Sequence, residues 1–92
     1  MAKILITEDE DSLRSFVARA LRLDGHITAE AADGAEGLER LAEEEFDLLL
    51  SDIRMPVMDG IELAHRAAAS HPNLRILLMT GYADQRERAD DL

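Results

Sequence analysis

Ninety-two residues suffice for one domain. The net charge of −10, with Lys3 as the sole lysine, excludes a basic nucleic-acid or anionic-membrane surface, because phosphate contacts need Lys and Arg. The absence of cysteine excludes disulfides, thiolate metal sites and cysteine nucleophiles. No run approaches the ~20 apolar residues of a membrane span, and the opening residues have no signal-peptide core. The expectation is a soluble cytoplasmic protein.

Residues 3–7 read as a buried strand that runs directly into the acids Glu8, Asp9, Glu10 and Asp11. Leu13, Phe16, Val17, Ala20 and Leu21 then follow the spacing of one helix face. Asp11 or Ser12 is expected to cap that helix, and Asp24-Gly25 to close it with glycine in a left-handed conformation. Residues 26–31 form a weaker strand candidate. After Asp33-Gly34, Ala35, Leu38, Leu41 and Ala42 mark a second helix, and Glu43-Glu44-Glu45 its solvated end. Residues 46–51 are the strongest strand. Asp52 follows, then a turn containing Pro56 and then Asp59-Gly60, where Asp59 sets a turn and caps a third helix. That helix carries Ile61, Leu63, Ala64, Ala67 and Ala68, and Pro72 prevents its continuation. Residues 75–80 give a fourth strand, and residues 83–92 are compatible with a polar helix.

Continuous apolar strands alternating with amphipathic helices imply an α/β fold with a parallel sheet covered on both faces. In a doubly wound sheet of order 2-1-3-4, strands one and three are neighbours at the switch point, where ligands bind at the strands' C-terminal ends. Glu8, Asp9 and Asp52 would then share one crevice. Clustered carboxylates raise one another's pKa unless a cation intervenes. An all-oxygen donor set suits Mg²⁺, which also screens charge against an incoming phosphoryl group. Asp52 is then the candidate nucleophile for an aspartyl phosphate. Thr80, ending strand four, is placed to donate a hydrogen bond to the phosphoryl oxygen, and Gly81 lets the backbone approach. His26, His65 and His71 lack metal-ligand spacing, and Met55, Met58 and Met79 read as packing residues.

The ordered set Glu8-Asp9, Asp52 with Met55-Pro56, Met58-Asp59-Gly60 and Thr80-Gly81 resembles the receiver domain of two-component response regulators from residue 3 to about residue 83. The resemblance implies a flavodoxin-like sheet. It implies that Asp52 is the phosphoacceptor, taking a phosphoryl group from a histidine kinase or a histidine phosphotransfer protein. Asp9 and Asp52 would be direct Mg²⁺ ligands. Glu8 would act through a metal-bound water, and the Arg54 backbone carbonyl would complete the protein's share. Thr80 would be the switch that couples phosphorylation to a downstream protein target. The chain would then be a signalling module in a phosphorelay rather than an enzyme. Residues 58–64 and 80–82 further resemble single-domain CpdR-type receivers, which implies a role in regulated proteolysis.

The chain also departs from the family pattern. Family receivers have a fifth strand ending in a lysine and a fifth helix, and this chain ends at Leu92 before them. The expectation is a receiver domain over 1–92, incomplete at its C-terminus. An exposed edge strand would favour self-association or a swapped dimer. Weak phosphorylation is expected too, and Tyr82 is a candidate surrogate for the usual aromatic switch residue. Two competing readings stand beside this one. A small aspartyl-phosphate phosphatase or hydrolase would use Asp9-x-Asp11, and a constitutive binding domain would leave the acidic crevice without chemistry.

Overall fold

The computed structural model describes residues 1–79. In chain order the elements are β1 (Lys3–Thr7), α1 (Asp11–Leu23), β2 (Ile27–Ala31), α2 (Gly34–Glu43), β3 (Leu48–Asp52), α3 (Gly60–Ser70) and β4 (Arg75–Met79). All strand pairs are parallel, and the sheet order is β2-β1-β3-β4. This is the doubly wound arrangement that the alternation of strands and helices requires.

Side chains of a strand alternate between faces, and the core divides accordingly. On one face Ile4, Ile6 and Leu50 pack with Ala18 of α1. On the other, Leu5 and Leu49 pack with Leu41 of α2 and with Leu63 and Ala67 of α3. Leu5 and Leu49 are fully buried. The central strands are therefore apolar on both sides, as a sheet sandwiched between helices must be.

The helix faces differ from the expected ones. In α1 the buried position is Ala18, with Val17 and Leu21 packed beside it, whereas Phe16 is 70% exposed and Ala20 is also exposed. At about 100° per residue, the stripe of 13, 16 and 20 lies well away from the one centred on 18. The small Ala18 lets the helix approach Ile4, Ile6 and Leu50 closely, so size rather than hydropathy selects the buried face. In α2, Gly34, Gly37 and Leu41 are buried, while Ala35 and Ala42 are exposed. A Cβ on Gly37 would sit 2.8 Å from Thr7 Cγ2 of β1, so contact with the strand requires glycine there. In α3, Leu63 and Ala67 are buried but Ile61 is 47% exposed and Ala68 is exposed.

The termini follow elementary capping chemistry with one exception. Asp33 accepts from the Glu36 N–H, and Asp59 from the Glu62 N–H, each at 2.8 Å. Gly25 closes α1 at φ +92. α1, however, begins after Glu10, whose side chain makes no capping bond. Neither Asp11 nor Ser12 is the cap. Asp11 is the first helical residue and pairs with Arg14 instead. β3 begins at Leu48 rather than at Phe46, and the Phe46 ring lies under the Lys3 ammonium, which is 5.1 Å from the ring centroid.

Candidate metal centre

The β1–β3 register pairs Thr7 with Ser51, so the residues just beyond, Glu8 and Asp52, emerge side by side at the C-terminal rim. Asp9 follows on the connection into α1. One carboxylate oxygen from each of Glu8, Asp9 and Asp52 lies within 4.8 Å of the others. Glu8 and Asp52 are 1% and 2% exposed, and Asp9 is open to solvent. The cluster is thus floored by two buried acids and entered past the third.

Few groups compensate this charge. Asp52 Oδ1 accepts a long bond, 3.4 Å, from the Arg54 N–H, and Oδ2 is buried without a hydrogen-bond partner. Glu8 Oε2 accepts from the Glu10 N–H at 3.3 Å. Burial pushes the Glu8 carboxyl up to about 7, helped by its hydrogen bond with Asp9 and by the charge of Asp52. Burial likewise raises Asp52 above the usual carboxylate range. Buried, mutually repelling oxygens with an unsatisfied atom fit a hard divalent cation, whose charge repays their desolvation. Soft metals are disfavoured by the all-oxygen set.

This has a measurable consequence for the metal-free protein. A carboxyl whose folded pKa is raised binds its proton more tightly in the native state. Between the unfolded value of 4.5 and the folded value of about 7 the native state therefore holds more protons, and unfolding free energy falls as pH rises. The contribution is present below pH 4.5 and is lost by about pH 7, and amounts to about 3 kcal/mol. Denaturant titrations in chelator at pH 5 and pH 8 should show this decline in wild type and a flatter profile in Glu8→Gln. An equal decline in both proteins would assign it elsewhere.

The loop after Asp52 is shaped by its own backbone. Gly60 is buried, and its N–H donates to the Ile53 carbonyl at 2.7 Å. Val57 takes φ 69, within a three-residue turn in which the Met58 N–H donates to the Pro56 carbonyl at 2.7 Å. A β-branched residue at positive φ is costly, so the loop's path is imposed by the packing of Met55 and Met58 on either side.

The structure brings together Glu8, Asp9 and Asp52, and places Arg54 two residues after Asp52 in the adjoining loop. Thr80, Gly81, Tyr82 and the expected helix over 83–92 lie outside the described residues. Asp11 is paired with Arg14, its side chain 86% exposed, and it is not among the three carboxylates that converge. Sequence reasoning missed Arg14, which touches the Glu8 carbonyl at 2.8 Å. The available signal was a lone cation three residues after the last of four consecutive acids.

A parallel sheet of order 2-1-3-4 with a carboxylate triad at its C-terminal switch point defines an acidic α/β module whose rim fits a divalent cation. The family model for the response regulator receiver domain matches residues 4–92, and the chain belongs to that family. It is 48% identical over 83 residues to the response regulator receiver protein CpdR of Brucella abortus (strain 2308), an alignment covering 90% of this chain and 69% of that protein. Among solved structures it is similar to the response regulator TrrA of Thermotoga maritima in complex with Mg²⁺-BeF, with a TM-score of 0.86 and 30% identity over 95% of this chain and 76% of that one. It is also similar to a chain in the complex of histidine kinase ThkA with TrrA, with a TM-score of 0.83 and 30% identity, covering 90% and 72%. Among the described residues no helix is long and apolar enough to cross a membrane.

Proposed function

We propose that this chain is a phosphoacceptor module of a two-component phosphorelay, with Asp52 as the acceptor. The observation that carries the reading is the convergence of three carboxylates at the rim, with the buried Asp52 Oδ2 lacking a hydrogen-bond partner among the described residues. In the transfer step a carboxylate oxygen of Asp52 attacks the phosphorus of a phosphohistidine. The P–N bond breaks, the new P–O bond makes an acyl phosphate, and the leaving imidazole takes up a proton. Asp9 and Asp52 would hold Mg²⁺ directly, Glu8 through water, and the Arg54 carbonyl would add a further oxygen. Mg²⁺, when bound, supplies the positive charge that lets an anionic donor approach an anionic site. The residues' own contribution is placement, because Asp52 is fixed at a strand end and the Arg54 N–H orients its second oxygen.

The donor in this proposal is a histidine kinase or a histidine phosphotransfer protein, a reading supported by the likeness to the chain in the ThkA–TrrA complex. Thr80 would report the modification to a downstream protein target. By the resemblance to CpdR-type receivers, that target would lie in regulated proteolysis, in a cytoplasmic setting. The chain acts as a switch and catalyses no turnover of its own.

The test is Mg²⁺-dependent binding of beryllofluoride, followed by NMR. Saturable shifts at Asp9, Asp52, Thr80 and Gly81 that need both Mg²⁺ and beryllofluoride are expected. No shifts with both additions present, or binding indifferent to Mg²⁺, would overturn the reading.

A further inference from the structure

Arg14 projects from the first turns of α1, and its side chain is only 15% exposed. Its guanidinium divides among three elements. Nη1 donates to the Glu8 backbone carbonyl at 2.8 Å, Nη2 to Asp11 Oδ1 at 2.7 Å, and Nε lies 3.4 Å from Glu30 Oε1 on β2. Glu30 stands opposite Ile6 in the β1–β2 ladder, so the fork links the end of β1, the start of α1 and the neighbouring strand.

The position of that bond matters. The Glu8 carbonyl belongs to the peptide plane that joins Glu8 to Asp9, and both carboxylates of the acid pair spring from it. The rest of this connection is held lightly. The preceding peptide is tied by the Glu8 N–H to the Ala31 carbonyl at 3.1 Å. Glu10, which starts the helix, makes no capping bond, and the Glu10 N–H reaches Glu8 Oε2 only at 3.3 Å. We propose that Arg14 is a positioning residue for the metal centre: its three-way fork fixes the Glu8–Asp9 peptide plane, so that the acid pair meets Asp52 at a spacing one divalent ion can bridge. The proposal rests on the reading of Glu8, Asp9 and Asp52 as a Mg²⁺ site.

Geometry rather than charge is the operative property. A lysine keeps the positive charge but cannot present a planar fork to three acceptors at once. Groups that orient metal ligands from behind commonly change metal affinity 10- to 100-fold when removed.

The experiment measures the Mg²⁺ dissociation constant at pH 8 by amide-shift titration of wild type, Arg14→Ala and Arg14→Lys, with far-UV circular dichroism confirming the fold. Both variants should bind Mg²⁺ about tenfold more weakly, with altered amide shifts from residue 8 to residue 11 in the metal-free state. A dissociation constant for Arg14→Ala within about twofold of wild type would overturn the proposal, as would full recovery in Arg14→Lys. Should Arg14→Ala not fold, the double variant Asp11→Ala, Glu30→Ala leaves the guanidinium only its backbone bond and should weaken Mg²⁺ about threefold; unchanged affinity there overturns the proposal too. Failure of wild type itself to bind Mg²⁺ would instead remove the metal reading, and this proposal with it.

Discussion

Asp52→Asn is expected to lose phosphoryl incorporation by more than about a hundredfold while becoming more stable than wild type in the absence of metal. The two effects share one cause. The carboxylate oxygen that would form the P–O bond is also a buried, partly unsatisfied acceptor whose pKa burial holds above the normal range. An amide keeps the size of the side chain and the oxygen facing the Arg54 N–H, but it is a poor nucleophile and carries no charge to desolvate. When ionised, the wild-type side chain bears a charge that its buried setting solvates badly, so its replacement favours folding. Autoradiography with a radiolabelled phosphodonor and a parallel urea titration in chelator measure both. Loss of labelling accompanied by loss of stability would mean only that the variant unfolds. Retained labelling would place the acceptor elsewhere. Glu8→Gln separates the roles, since it relieves the same crowding and leaves the acceptor in place.

The rim chemistry was legible in the sequence because strand ends are abrupt. Isoleucine and leucine stop at Thr7, and the leucines of β3 stop at Ser51. A parallel order 2-1-3-4 then leaves Glu8 and Asp52 no option but adjacency. Helix existence was equally plain, as was the cap Asp59, which obeys local rules. The buried faces of α1 and α2 were not, because hydropathy ranks Phe16 above Ala18 and Ala35 above Gly37. The structure inverts both pairs. What decides is how closely a helix must approach the sheet, a tertiary demand that favours the smallest residue. Arg14 was missed for a related reason. Its role depends on Glu30, sixteen residues away on another strand, and no local pattern joins them.

Gly60→Ala is the substitution expected to damage the fold most for its size. A methyl group there would collide with the Asp52 carbonyl oxygen and stand 2.8 Å from Ile53 Cα. Both obstacles are backbone, so no side chain can turn aside. The strand end is pinned as well. The Ile53 N–H donates to the Met79 carbonyl at 3.1 Å, and the Gly60 N–H donates to the Ile53 carbonyl at 2.7 Å. Relief therefore requires α3 to lift or the β3–β4 pairing to yield, and overpacking of this kind costs about 3 kcal/mol or more. In a domain of this size that is a large part of the total stability. Because the Asp52 carbonyl is among the atoms displaced, Mg²⁺ affinity should fall in whatever fraction remains folded. Gly25→Ala supplies the contrast. Its φ of +92 penalises any side chain, but nothing lies within 4 Å of the added methyl. Its cost should stay near ~1 kcal/mol with Mg²⁺ binding unchanged. Urea titrations of the two variants, paired with Mg²⁺ titrations, test the argument. Equal destabilisation by both would show that the contact at Gly60 is relieved without cost, and that the carboxylate at position 52 is held less rigidly than its buried setting requires.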